Sequence, residues 1–134
     1  MARAYTVGTA ALALDVPIKW LDNVLSHFQV PGVLQERQGI PRKVSLEGVL
    51  QLALALTLID DLELPIARAL HLARTVSESG GQHRTSRGIN IGLDLSTIRA
   101  GLEVRLAHAV EIAPVPRRGR PRTAARVRKT GRLE

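Results

Sequence analysis

The chain has no cysteine, which removes disulfide frameworks, thiolate nucleophiles and cysteine-based metal sites from consideration. Aromatic residues are nearly as scarce: Tyr5, Trp20 and Phe28 are the entire set. A core built instead from Leu, Val, Ile and Ala favours helices over a β-sandwich. Long apolar runs are missing as well. The longest stretch, residues 49–59, falls short of the roughly 20 residues needed to span a bilayer. Near the N-terminus the apolar segment is interrupted by Asp15, which makes a poor secretion signal. The expectation is a soluble cytoplasmic protein with no membrane association, and 134 residues leave room for one compact domain plus appendages.

Acidic charge is what the end of the chain lacks. Residues 1–112 hold 11 Lys/Arg and 11 Asp/Glu, whereas residues 113–134 hold 8 basic residues against Glu134 alone. The whole net charge of +7 therefore sits on the C-terminal tail. A neutral body carrying a basic arm is the charge layout of a protein that approaches a polyanion.

Hydrophobic spacing then predicts the elements. Val7, Ala10, Ala11 and Leu14 mark a helix over 6–14, and Ile18, Leu21, Val24, Leu25 and Phe28 mark a second over 17–28. Between them, Asp15 is a good N-cap residue and Pro17 suits a first helical turn, giving two short helices joined by a tight turn. Pro31-Gly32 and Gly39-Ile40-Pro41 punctuate residues 29–43, which read as a β-hairpin or extended wing carrying Arg37, Arg42 and Lys43. Ser45 caps a third helix to residue 61, apolar almost all round and therefore central. A fourth helix follows over 65–76. Residues 77–87 are polar and glycine-rich, a linker by composition. Ile89, Ile91, Leu93 and Leu95 alternate with polar residues as a half-buried strand does, and Ser96 caps a fifth helix to residue 111 with Ile98, Leu102, Leu106, Ala109 and Val110 on one face. The tail, 113–134, reads as disordered.

The first half resembles the MerR-type winged helix-turn-helix. The matching residues are Tyr5-Thr6-Val7-Gly8, Ala10-Ala11, Val16 in the turn and Leu21, then Arg42-Lys43-Val44-Ser45 with Glu47, Val49 and Leu50, then Leu64-Pro65-Ile66. The resemblance covers about residues 5–76 and implies a double-stranded-DNA-binding scaffold, a transcriptional regulator in which the second helix enters the major groove and the wing holds the backbone. Asp22, Asn23 and Val24 stand where the family usually carries arginine and an aromatic pair. No long coiled coil follows the fourth helix, and there is no cysteine-based metal sensor. The resemblance therefore says little about an inducer.

On this scaffold the candidate DNA contacts of the second helix are Lys19, Trp20, Asn23 and His27. Asn reads adenine bidentately and Lys reaches guanine or phosphate, while Trp20 can equally be a half-buried packing residue. Arg37, Arg42 and Lys43 are phosphate candidates on the wing. In the tail, Arg117, Arg118, Gly119, Arg120, Pro121 and Arg122 resemble an AT-hook with the core Arg-Gly-Arg-Pro. Glycine lies flat on the minor-groove floor while the two arginines enter a narrow A·T groove. The alternative is an unspecific basic arm that binds any nucleic acid by counterion release.

Enzymatic chemistry finds no support. His27, His71, His83 and His108 lack metal-ligand spacing, Asp60, Asp61 and Glu63 are exposed residues at a helix end, and Gly80-Gly81 has no Lys-Ser/Thr after it. Neither a metal nor a cofactor is expected. The expected fold is mainly α: a winged helix-turn-helix over 1–76, a linker over 77–87, a strand–helix dimerisation or packing segment over 88–112 and the basic tail. A homodimer built on that strand and helix is expected. Two other functions stay open: a protein-interaction module of the antitoxin type, and an RNA-binding protein acting through the tail.

Overall fold

The computed structural model describes residues 4–35 and 39–112. These are mainly helical with small antiparallel sheets. In chain order they form β1 (Ala4–Thr6), α1 (Val7–Leu14), α2 (Ile18–His27), β2 (Val33–Leu34), β3 (Lys43–Ser45), α3 (Leu46–Leu62), α4 (Ile66–Glu78), β4 (Gln82–Arg84), β5 (Asn90–Gly92) and α5 (Leu95–Ile112).

The first two helices are set by their caps. The Thr6 hydroxyl accepts from the Thr9 amide at 3.1 Å, which satisfies one of the free N–H groups of α1. At the other end Asp15 adopts the left-handed conformation (φ 58°) and closes α1 by donating its amide to Ala11 and Leu12 carbonyls. Asp15 is thus the C-cap of α1 and not the N-cap of α2. Pro17 takes that place, with no side-chain cap bond, because α2 begins only at Ile18. Leu21, Val24 and Leu25 bury one face of α2. Ile18, expected on that face, is 53% exposed: it lies against Gly8 of α1, which has no side chain to cover it.

β3 is the centre of a three-stranded sheet in the order β1-β3-β2. Tyr5 faces Val44 on one side and Val33 faces Val44 on the other. The sheet runs straight into α3, whose first turn is capped by Ser45 Oγ accepting from Gly48 N at 3.1 Å. Gly32 (φ 88°) makes this packing possible. A Cβ there would overlap Ser45 Oγ and come within 2.7 Å of Gly48 N, so the start of the hairpin can lie on α3 only without a side chain.

α3 is central, burying Val49, Leu50, Leu52, Ala53, Leu54, Ala55 and Leu58. It packs against α4 and, with α1, against α5. Leu102, Leu106 and Ala109 of α5 join the same core as Leu21 of α2 and Val44 of β3. Arg105 Nε donates to Ala13 O at 3.0 Å, and Arg99 pairs with Glu47 at 2.6 Å, so α5 is tied to α1 and α3 by polar links as well. Val110, expected inside, is 47% exposed at the edge of this stripe.

Residues 77–87 hold more order than their composition suggests: they include the last two residues of α4 and strand β4. The strand expected over 89–95 shortens to Asn90–Gly92, and its partner is β4, in the register His83 opposite Ile91. Ile89 lies outside the ladder and is 61% exposed. The cap of α5 is Asp94, not Ser96. Its carboxylate accepts from Thr97 N (3.1 Å), Thr97 Oγ1 (2.9 Å) and Ser96 Oγ (3.1 Å). These bonds, the Thr97 amide foremost, hold the Asp94 carboxyl below the usual carboxylate range.

Candidate nucleic-acid interface

The burial of Leu21, Val24 and Leu25 fixes which way α2 faces. Lys19, Asp22, Asn23, Ser26 and His27 are exposed. Trp20 is half-buried and packs against the core, which fits its role as an amphipathic packing residue and leaves less of it for a ligand. Toward the end of α2 His27 Nδ1 lies 2.7 Å from the Asn23 carbonyl oxygen. A carbonyl can only accept, so Nδ1 is the donor in this contact. Ser26 Oγ donates to Asp22 O at 2.9 Å. The outward face therefore offers a cation in Lys19, an acceptor in Asp22, an imidazole in His27, and both donor and acceptor in Asn23.

Beside α2, a groove of about 570 Å³ runs between the helix pair and the β2–β3 connection. Its walls are Thr6, Val7 and Gly8 at the start of α1, Asp22 of α2, and Gln35, Ile40, Pro41, Arg42 and Lys43 from the hairpin. Gln35 Nε2 donates to Ile40 O at 3.0 Å, which ties the two limbs of the hairpin where they leave the sheet. β1 positions the opposite wall: its pairing with β3 places Thr6 opposite Lys43, so the N-terminus of α1 and the two cations share one concavity. The partial positive charge of a helix N-terminus adds to that of Arg42 and Lys43. The ion pairs among the described residues are Arg74–Glu78 and Arg99–Glu47, and neither engages Arg42 or Lys43.

The structure thus brings Arg42 and Lys43 together with Asp22, while Lys19, Asn23 and His27 lie on the exposed face of the same helix. Arg37 lies outside the described residues, as do Arg117, Arg118, Gly119, Arg120, Pro121 and Arg122 of the tail. Sequence reasoning passed over Gln35, Ile40 and the Thr6–Gly8 wall. The Tyr5-Thr6 pair preceding α1 carried the only available signal, since two residues of high β-propensity there are compatible with a strand.

Among the described residues no group of three or more His, Asp or Glu side chains is placed to hold a metal ion, and no helix is long and apolar enough to cross a membrane. Comparison of the chain with protein-family models, with curated proteins and with solved structures finds no match.

Proposed function

We propose that this chain is a non-enzymatic, nucleoid-associated DNA-binding protein, a transcriptional regulator built on a winged helix-turn-helix like that of the MerR group. One observation carries the reading. Asp22 on the exposed polar face of α2 and the hairpin cations Arg42 and Lys43, which join no ion pair among the described residues, border a single groove, with the N-terminus of α1 as its other wall. On this reading α2 enters the major groove with Lys19, Asn23 and His27 at base edges, and the hairpin cations hold phosphates on either side. The arginine-rich tail follows the duplex as an AT-hook or as a basic arm.

The proposal extends to a homodimer, because small readers of this kind gain affinity by pairing half-sites. Its basis differs from the sequence expectation. β5 already has β4 as a partner, and the buried stripe of α5 is spent on α1 and α3. The surface proposed for a second copy is the outer face of α5, where Val104 is 71% exposed.

The test is binding of the full chain to duplex DNA, single-stranded DNA and structured RNA at several salt concentrations, followed by footprinting. Selective duplex binding that survives truncation at Ala113 supports the reading. A truncated body that binds no duplex at any salt refutes it, and retention of RNA binding by the tail alone favours the RNA alternative.

A further inference from the structure

A second cleft, of about 490 Å³, opens on another side of the molecule, where the α1–α2 turn, α3 and α5 meet. Its volume lies within the range of small-molecule sites. Leu56 of α3 and Ile98 of α5 supply apolar lining. Around them stand three charges: Asp15 on the turn, Asp60 on α3 and Arg105 on α5. None of the three belongs to an ion pair among the described residues, although they border one cavity. Arg105 is tethered through Nε to Ala13 O, and among the described residues its terminal nitrogens make no hydrogen bond.

Gly101 gives the cleft its shape. It stands in the middle of α5, where glycine is less favourable than alanine, and its backbone has no positive φ to justify it. Packing does not require it either. A Cβ at this position would meet only Arg105 Nη1, at 3.4 Å. The missing side chain leaves open the space beside the guanidinium, and Gly101 itself lines the cleft. A helix position that breaks the local propensity rule with no packing reason is the kind of departure that functional sites show.

We infer that this cleft binds a small zwitterion, with the chemistry of an aliphatic α-amino acid. Its carboxylate would sit in the space beside Gly101 on the Arg105 guanidinium, its ammonium group would face Asp15 and Asp60, and its side chain would lie on Leu56 and Ile98. A simple anion would meet two carboxylates, and a simple cation would meet the guanidinium. Only a ligand with both charges answers all three groups. The inference is independent of the DNA-binding reading.

The experiment is an amide chemical-shift titration of the full ¹⁵N-labelled chain with L-leucine, alongside isoamylamine and 4-methylpentanoate, which keep its side chain and one charge each. L-leucine is expected to give saturable shifts centred on Asp15, Asp60 and Gly101, with each singly charged analogue at least about tenfold weaker, one well-formed interaction's worth. Gly101→Leu fills the cleft without a helix penalty and is expected to melt no lower than the parent and to lose at least about tenfold in affinity. Should Gly101→Leu not fold, Gly101→Ala, which fits the available space, serves instead: it is expected to melt higher and bind L-leucine more weakly. Absence of saturable L-leucine shifts at these amides, equal binding by isoamylamine, or unchanged affinity in a folded Gly101 variant overturns the inference.

Discussion

Replacing Arg42 and Lys43 together by alanine removes the two side-chain cations that border the groove beside α2 among the described residues, and the consequence is read most cleanly through salt. Each phosphate neutralised on duplex DNA releases counterions, so log K falls against log salt with a slope of about −0.9 per contact. Losing two contacts should make the slope shallower by about 1.8. Between about 50 and 200 mM salt, a fourfold range, that difference changes the ratio of wild-type to variant affinity roughly twelvefold. The variant should therefore bind much more weakly at low salt and recover relative to the parent as salt rises. The tail contributes equally to both proteins and cancels in the comparison. Neither residue belongs to an ion pair of the described fold, so the variant should melt near the parent. The assay is fluorescence anisotropy of one labelled duplex at four salt concentrations. Parallel lines for the two proteins, whatever their offset, would refute phosphate contact by the hairpin. A change of about 0.9 would mean that only one of the two residues reaches the backbone.

Three further outcomes are expected. Leu102→Ala empties a fully buried position where α5 meets α1 and α3, and should cost about 3–4 kcal/mol in urea unfolding. Fluorescence of Trp20 and far-UV circular dichroism should then report one shared transition. A loss below about 1 kcal/mol would mean that α5 lies outside the cooperative core. Asp94→Ala removes an acceptor whose folded-state pKa is lowered, so the stabilisation it provides is present above the ordinary carboxylate range and disappears as pH falls through the lowered value. The stability gap between parent and variant should accordingly be full at neutral pH and close in acid, and a gap independent of pH would contradict the cap. In the tail, Gly119→Ala keeps every charge but, if the tail is an AT-hook, would set a methyl group against the minor-groove floor. An AT-hook should lose its preference for A·T-rich over G·C-rich duplex by about 1–2 kcal/mol, whereas a basic arm should not register the change.

The helices were legible because their information is local. Leu102, Leu106 and Ala109 recur at helical spacing and are buried, and Ser45 caps α3 as its place before Leu46 suggests. The short strands were harder for the opposite reason. β1 is three residues whose partner lies some forty positions along the chain, and no periodicity develops over Ala4–Thr6. β4 reads Gln-His-Arg behind two glycines, and a two-stranded ribbon exposed to solvent need not carry an apolar face. Exposed Ile18 and Val110 show the limit of periodicity from the other side. A residue at the margin of an apolar stripe is buried only if the neighbouring element extends a side chain over it, and for Ile18 that neighbour is Gly8.

The same distinction governs the candidate interface. Lys19, Asn23 and His27 could be assigned to the outer face of α2 from spacing alone, because the inward face of that helix determines the outward one. The groove beside them could not. It exists because β1 pairs with β3 and carries the start of α1 alongside Lys43, and because Gly32 lets the hairpin settle on α3 at Ser45 and Gly48. Those are contacts between residues far apart in sequence, each unremarkable by itself. Asp22 illustrates the point: from the sequence it is a carboxylate on a helix expected to approach phosphate, an apparent conflict. In the fold it borders the same groove as Arg42 and Lys43, so the cations of the hairpin offset its charge there, and on the proposed reading its oxygens would accept from a base amino group.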